Sequence, residues 1–365
     1  MKIRDIITSI EAFAPLRLQE DWDNAGLLTG DANGGCSRVL CALDVTLDVV
    51  AEAIDKGCNL IVAHHPLIFT GLKRLNGQTY PEQVIIKAIK NDVAIYAAHT
   101  NLDNVLWGVS GLMAEKLGLK GVQVLVPRRE VLRKLITFVP PDKAEELRHS
   151  LFAAGAGGIG NYSECSFSSS GTGSFKAGEG SSPYAGEVGK RHLEEEIRIE
   201  VVFPFYIEPQ VIKALLAAHP YEEVAYDIYA LENSYLKVGA GAIGELATPV
   251  EESFFLELVK ATFGTGVIRH SPLTNKPVKK IALCGGSGAF MIQAALAQGA
   301  DFYITADIKY HDFFDAGAQM VIADIGHYES EQFSIDLMYH LLVKNFPTFA
   351  VLKTGINTNP VRYFK

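Results

Sequence analysis

Short apolar segments alternate with helical segments near the start of the chain, and this alternation limits the folds open to it. Residues 38–44, 59–63 and 93–98 are typical of buried strands, because they consist almost wholly of apolar side chains. Residues 3–13 and 46–56 have the periodicity of helices. Parallel strands joined by helices are covered on both faces of their sheet. The sequence therefore predicts an α/β fold with a mainly parallel sheet and flanking helices.

The pattern changes after residue 127. Two successive strand–helix–strand units are predicted within residues 128–244, which is the order of a small ferredoxin-like α+β domain. Residues 154–189 are rich in Gly and Ser but are interleaved with aromatic residues, so we expect irregular strands and turns there. Strand–helix alternation resumes later. These features predict a discontinuous α/β domain, formed by residues 1–127 and 245–365, interrupted by the inserted domain.

Composition narrows the classes of function. A chain of 365 residues exceeds what one compact core usually holds. The net charge of −9 disfavours a non-specific nucleic-acid surface. No apolar run is long enough to span a bilayer, and the N-terminal segment, which carries acids and has the pattern of an amphipathic helix, does not resemble a secretory signal. Five cysteines without a Cys-x-x-Cys pair favour a reduced, cytoplasmic protein without a disulfide framework.

Histidines and acids follow three of the predicted strands directly. The clusters are His64-His65-Pro66, His99 with Asp103, and His327 with Glu331. Taken singly, each cluster also has a purely structural explanation. The histidine pair could be half-buried, Asp103 could cap a turn or a helix, and His327 and Glu331 could lie on a solvated helix face. Ligands in open α/β sheets bind outside the carboxyl ends of the strands, and all three clusters lie at such ends. We therefore expect them to meet at one edge of the sheet and to share a metal site.

The donor types favour two divalent ions over one. Three histidines and two carboxylates are available, and a carboxylate can bridge a pair of cations. Imidazole and carboxylate ligands suit Zn, Fe, Mn, Co or Ni and do not choose among them. No cysteine joins the clusters, which argues against a closed structural zinc site. Open coordination positions would hold water with a lowered pKa, which is a nucleophile near neutral pH.

The motifs resemble those of the GTP cyclohydrolase I type 2 family, also called the NGG-one-interacting-factor-three-like dinuclear metal proteins. They are Trp22-Asp-Asn-Ala-Gly26-Leu, His64-His65-Pro66, His99-Thr-Asn-Leu-Asp103, Thr305-Ala-Asp307 with Tyr310-His311, and Gly326-His327-Tyr328 with Glu331. The resemblance implies metal ligands at His64, His65, Asp103, His327 and Glu331. It also implies toroidal homohexamers. Residues 160–175 look like part of the PII- and CutA-like insert that the long form of the family carries.

Several residues keep two interpretations. His99 either orients Asp103 or contacts the substrate. Asp307 and His311 either hold the metal ligands in place, act as acid–base groups toward the substrate, or merely begin a helix. Residues 22–26 either line the site or form a turn around a packed Trp. The glycine-rich residues 285–288 either hold a phosphate on backbone N–H groups or form a tight turn, and the missing P-loop lysine favours the turn.

The leading hypothesis is a metal-dependent hydrolase that acts on a small molecule, and the family name suggests a nucleotide such as GTP. His99 or His311 would carry a proton and Asp307 would assist as an acid–base group. The alternative is a non-enzymatic, metal-holding or regulatory hexamer whose insert acts as a sensor. A third hypothesis is an interaction protein, for which nucleic acid is a poor partner because the chain is acidic.

Overall fold

The computed structural model describes residues 1–364, and the chain divides into two compact units. The outer unit consists of Met1–Pro127 and the chain from Leu236 onward, and the inserted unit is Arg128–Tyr235. Residues 236–244, which the sequence places in the insert, thus belong to the outer unit, because they lie in a strand that pairs there. No helix in the described residues has the length and apolarity needed to cross a membrane.

The first stretch of the outer unit follows the predicted alternation. Its helices are α1 (Ile3–Phe13), α2 (Leu47–Asp55), α3 (Tyr80–Lys90), α4 (Thr100–Asp103) and α5 (Val109–Lys116). Its strands are β1 (Gly26–Thr29), β2 (Val39–Ala42), β3 (Leu60–Ala63), β4 (Ala94–Ala97) and β5 (Lys120–Arg128). Thr46 caps α2, because its side chain accepts a hydrogen bond from the backbone N–H of Val49.

The inserted unit has the predicted ferredoxin-like order. It runs through β6 (Leu132–Val139), α6 (Ala144–Ala153), β7 (Ser166–Lys176), β8 (Arg191–Pro204), α7 (Glu208–Ala218) and β9 (Tyr226–Ala230). The four strands form one sheet in the order β7-β8-β6-β9, and all neighbours are antiparallel. The Gly- and Ser-rich segment contributes the 11 residues of β7, and the rest of it consists of turns and irregular backbone, as expected. Two of its aromatic residues, Phe167 and Phe175, lie in β7, a setting that favours aromatic side chains.

The rest of the outer unit continues the alternation. Its strands are β10 (Tyr235–Val250), β11 (Arg269–His270), β12 (Val278–Ser287), β13 (Phe302–Ala306), β14 (Val321–Asp324) and β15 (Val351–Lys353). Its helices are α8 (Glu252–Phe263), α9 (Ile292–Ala297), α10 (His327–Glu331) and α11 (Ser334–Asn345).

The outer unit contains two sheets. The first has the order β1-β4-β3-β2-β15, in which only β1 runs antiparallel to its neighbour. The second has the order β11-β14-β13-β12-β10-β5, with a parallel centre of β12, β13 and β14. This confirms the α/β fold class with mainly parallel central strands and flanking helices.

The three central strands of the first sheet, β2, β3 and β4, are buried at every position because helices cover both faces of the sheet. Val39 and Cys41 of β2 pack in one core with α1 and α11, whereas Leu40 and Ala42 pack in another with α2 and α3. Successive side chains of a strand point to opposite faces. A strand between two helical layers must therefore be apolar at every position, which explains the continuous apolar runs.

The carboxyl ends of these strands carry the histidine clusters. His64 and His65 follow β3, and His99 and α4 follow β4, in the first sheet. His327 begins α10 after β14, which belongs to the second sheet. The expectation that all three clusters share one sheet edge is therefore wrong. The outer unit forms two sheets, and the strand ends that carry the histidine clusters come from both of them.

Candidate metal centre

Backbone hydrogen bonds hold the His64-His65 pair at the end of β3. The amide N–H of His65 donates to the carbonyl of Leu43 at 2.9 Å, and that of His64 lies 3.2 Å from the same oxygen. The chain thus turns at the end of the strand. Both imidazole rings are thereby placed on the same side, with centroids 5.0 Å apart.

Each of the three predicted histidine ligands is anchored through Nδ1 by an oxygen acceptor. Nδ1 of His64 lies 2.7 Å from the carbonyl oxygen of Ala98. The corresponding acceptors are Asp44 for His65 and Asp307 for His327, each also at 2.7 Å. In a neutral ring, an acceptor at Nδ1 keeps the proton there and leaves the Nε2 lone pair for a metal, whereas a ring protonated at both nitrogens donates from Nε2 instead. Metal-binding histidines show this arrangement, in which the other ring nitrogen donates to a carbonyl or carboxylate.

The three Nε2 atoms converge on Glu331. Oε2 of Glu331 lies 2.8 Å from Nε2 of His65 and 3.0 Å from Nε2 of His327, and those two nitrogens are 3.3 Å apart. Oε1 of Glu331 faces Nε2 of His64 at 3.8 Å. His327 and Glu331 are four residues apart on α10, so both side chains lie on one face of that helix.

Two buried atoms of the cluster have no hydrogen-bond partner in the described structure. They are Nε2 of His64 and Oδ1 of Asp103, which lie 3.7 Å apart, too far for a hydrogen bond. Leaving a buried polar atom unpaired costs about 1–3 kcal/mol. A cation bound by both atoms would remove that cost. The residues present therefore fit a divalent metal.

The electrostatics of the cluster reflect burial and close packing of opposite charges. Burial raises the pKa of Asp103 to about 7. Burial acts in the same sense on Glu331, but hydrogen bonds from the histidines outweigh it and hold the pKa of this carboxyl well below its usual range. Burial also opposes the charged form of His65 and His327. The carboxylates bonded to these rings outweigh it, raising the pKa of His65 to about 9 and that of His327 to about 11.

His99 lies beside the cluster with a carboxylate partner of its own. Its Nδ1 is 2.8 Å from Oδ1 of Asp23, and its ring centroid is 5.4 Å from that of His64. Asp23 also accepts hydrogen bonds from the amide and hydroxyl of Thr100. Burial would raise the pKa of Asp23, but these hydrogen bonds lower it to about 2. Asp23 is thus an ionised anchor, which favours the site-lining interpretation of the Trp22–Gly26 motif.

Asp44 is a site residue that sequence analysis missed. It bonds to Nδ1 of His65 and accepts a hydrogen bond from the Thr358 hydroxyl at 2.5 Å. Asp44 lies just after the buried strand β2, as the residues of the other clusters lie just after theirs. The same sequence pattern could therefore have identified it. Thr358 lies in a segment after β15 without regular structure, and nothing in its sequence predicts the contact.

The glycine-rich segment at the end of β12 makes room for Glu331. A Cβ atom on Gly286, whose φ is +62°, would lie 2.2 Å from Oε1 of Glu331. The amides of Gly285 and Gly286 donate to the hydroxyls of Ser110 and Ser330. Because these N–H groups are engaged within the protein, the structure favours close backbone approach over phosphate binding for this segment.

The remaining predicted residues take different places. Asp307 has the left-handed backbone conformation, with φ +56°, and serves as the anchor of His327. His311 packs between the rings of Tyr310 and Phe314, and it is absent from the described lining of the cavity beside the cluster. The structure therefore brings Asp307 to the site and gives His311 no contact there.

An open cavity of about 1120 Å³ adjoins the cluster. His65, Asp103, His327 and Glu331 line it, together with His99. A volume of this size admits a small organic molecule. The cluster is therefore accessible to a substrate, as a catalytic metal site must be and a closed structural site is not.

Comparison with known proteins gives the family. The model of Duf34/NIF3 (NGG1p interacting factor 3) matches residues 1–360. The chain belongs to the Duf34/NIF3 family.

Relatives within the family are named GTP cyclohydrolase 1 type 2 homolog. The one from Bacillus subtilis (strain 168) is 42% identical over 327 residues, which cover 89% of this chain and 88% of the relative. The one from Staphylococcus aureus (strain MSSA476) is 35% identical over the full length of both chains.

Solved structures of the Duf34/NIF3 family share the fold. A crystal structure of a Bacillus cereus protein related to NIF3 superposes with a TM-score of 0.87 at 40% identity, covering 100% of this chain and 99% of that one. The resemblance noted from the motifs is thereby confirmed at the level of the family. The homohexamer and the PII- or CutA-like character of the insert stay predictions.

Proposed function

We propose that this protein is a metal-dependent hydrolase with a dinuclear centre that acts on a small molecule. One observation carries the proposal. Nε2 of His64 and Oδ1 of Asp103 are buried without a hydrogen-bond partner in the described structure, at the point where three imidazoles direct Nε2 toward the buried carboxylate of Glu331. Polar atoms that served only to stabilise the core would be expected to have hydrogen-bond partners.

Three overlapping groups of closely spaced donor atoms occur in the described residues, and two of them share Glu331. These two are His65 with His327 and Glu331, and His64 with Asp103 and Glu331; the third joins His64, His65 and His99 and contains no carboxylate. We assign one divalent ion to each of the two groups that contain Glu331, with Glu331 as the bridge. The mixed imidazole and carboxylate set is compatible with Zn, Fe, Mn, Co or Ni.

Divalent ions held in this way supply Lewis acidity and lower the pKa of water, which is the chemistry that hydrolysis at neutral pH requires. The chain contributes the remaining functions. Asp44 and Asp307 orient two of the rings, and the cavity positions the substrate beside them. The His99 ring, held by Asp23, is placed to carry a proton between the cluster and the substrate.

The names of the relatives support a hydrolytic role, because cyclohydrolases open rings with water. They do not by themselves identify the substrate of this chain. For this chain we propose hydrolysis of a small organic molecule, within which a nucleotide such as GTP is the example that the relatives' name offers.

Metal analysis of two variants tests the centre. We expect Glu331→Gln to lower the metal bound per chain, because an amide bridges cations poorly. Asp103→Asn should weaken the site that Asp103 shares with His64. Both are measured by elemental analysis of purified protein after dialysis, with circular dichroism to verify folding. Undiminished metal in folded Glu331→Gln protein would contradict the bridging assignment.

An assay of turnover distinguishes the enzyme hypothesis from the alternative of a protein that only holds metal. Metal-loaded protein should hydrolyse at least one member of a panel of nucleotides, nucleosides and phosphoesters. Asp103→Asn should abolish that turnover while His340→Ala, a change on α11 outside the cluster and the cavity lining, should not. Tight metal binding without turnover across the panel would instead support the non-enzymatic, regulatory alternative.

A further inference from the structure

Four exposed aromatic side chains line the cavity beside the metal cluster. They are Trp22, Phe69, Phe290 and Tyr80, which are 64%, 52%, 73% and 49% exposed. Large aromatic rings gain much from leaving water, and each can bury about 150–250 Å². Four such rings around a single cavity therefore favour a ligand with flat apolar faces.

Two of these rings lie next to the reactive end of the cavity. Trp22 and Phe69 each contact His99 edge-on, with ring centroids 6.0 Å and 5.8 Å from its ring. His99 in turn lies 5.6 Å from His65, a proposed metal ligand. A flat molecule that packs on Trp22 or Phe69 would therefore lie next to His99 and close to the metal cluster.

The charge of the cavity disfavours a polyanionic ligand. Its lining includes four carboxylates and, among the described residues, no lysine or arginine; the acids are Glu20, Asp44, Asp103 and Glu331. Two bound divalent ions would be balanced by these four carboxylates, so the cavity would carry no net positive charge to attract a polyanion. Besides metal ions, proteins bind polyphosphates through lysine, arginine and free backbone N–H groups. The backbone N–H groups of Gly285 and Gly286 already donate hydrogen bonds to serine hydroxyls, so they are not free to bind a phosphate.

We propose that the substrate is an uncharged, planar heteroaromatic molecule, of the nucleobase or nucleoside class, without a polyphosphate. Trp22 and Phe69 determine this specificity by packing against the ring. Nδ2 of Asn104 donates to Glu20 and to the carbonyl of Leu18, which holds the Glu20 carboxylate at the cavity wall, where it can accept a hydrogen bond from an N–H group of such a ring. This inference rests on the proposed hydrolytic function, since it identifies the molecule that the metal centre would act on.

The tryptophans of the chain provide a direct probe. There are two, and the second, Trp107, is 52% exposed but does not line the cavity. Trp107→Phe leaves Trp22 as the single tryptophan reporter. Metal-loaded Trp107→Phe protein is titrated with guanosine, adenosine and cytidine, and separately with GTP in excess Mg²⁺, while tryptophan fluorescence is recorded. We expect saturable quenching by at least one nucleoside and binding of GTP at least about 10-fold weaker than guanosine, because the described lining offers its phosphates no lysine or arginine.

Variants locate the binding surface. Stacking of a base on an aromatic side chain contributes about 1–3 kcal/mol, so Trp22→Ala should weaken nucleoside binding by about 5- to 150-fold in calorimetry. Phe69→Ala should weaken it in the same sense, and Trp107→Ala should leave it unchanged. Trp22 is largely exposed, so its replacement removes little from the core.

The outcomes separate this inference from the proposed function. Metal content is measured on every sample. If the wild type binds no metal, the dinuclear centre itself is wrong. If metal is bound in full but no nucleoside quenches Trp22, if GTP binds 10-fold tighter than guanosine, or if Trp22→Ala binds as the wild type does, the substrate class proposed here is overturned.

Discussion

His64 in the outer unit and His219 in the inserted unit are both buried, with exposures of 0% and 8%, yet their rings are satisfied differently. Nε2 of His219 donates to the carbonyl of Phe138 at 2.9 Å, and its Nδ1 accepts from the amide of Tyr221 at 3.2 Å. Nδ1 of His64 meets the carbonyl of Ala98, but its Nε2 has no hydrogen-bond partner in the described structure. A buried histidine is thus a common structural element, and the unpaired second nitrogen is what indicates a ligand.

The largest effect expected from this comparison is the loss of metal on replacing His64. In His64→Ala the ion shared with Asp103 loses a ligand, so its affinity should fall by more than about 100-fold, beyond what the loss of an outer hydrogen-bond partner costs. Competition with a chromophoric chelator measures the affinity.

His219→Ala is the matched control in the inserted unit. It should keep the metal affinity of the wild type and lose about 1–3 kcal/mol of unfolding free energy, because the carbonyl of Phe138 and the amide of Tyr221 lose their partner. Urea denaturation measures that loss. Equal metal affinity in His64→Ala and His219→Ala would show that the unpaired nitrogen has no special role.

A second comparison concerns the acids that bond to histidines in each unit. Asp44 holds His65 in the outer unit, and Glu194 holds His192 at 2.6 Å in the inserted unit. Asp44→Asn removes the charge that fixes the tautomer of His65 and should weaken metal binding by about 10- to 100-fold. Glu194→Gln should leave it unchanged. If both variants bind metal like the wild type, Asp44 does not orient a ligand.

Sequence patterns predicted the fold class and the candidate ligands for a physical reason. A strand between two helical layers must be apolar at every position, so polar side chains appear where it ends, as at His64 and His65 after β3. The division of the outer unit into two sheets could not be predicted, because strand order depends on long-range pairing. For the same reason the sequence does not reveal that Thr358, which follows the last strand, bonds to Asp44 near the start of the chain.

The smallest effect is expected when the inserted unit is removed as a whole. The strands that flank it, β5 and β10, are neighbours in the second sheet, so Pro127 and Leu236 can be joined by a short Gly-Ser linker. The shortened protein should bind metal within about threefold of the wild type, because every proposed ligand belongs to the outer unit. Complete loss of metal from a folded deletion protein would show that the site depends on the insert.

Anomalous scattering from crystals of metal-loaded protein tests the central claim most directly. With data collected above and below the absorption edge of the bound metal, the account predicts two peaks per chain about 3.5–4 Å apart. One should lie between His65, His327 and Glu331, and the other between His64, Asp103 and Glu331. Peaks located elsewhere, or none in this cluster after loading, would contradict the account.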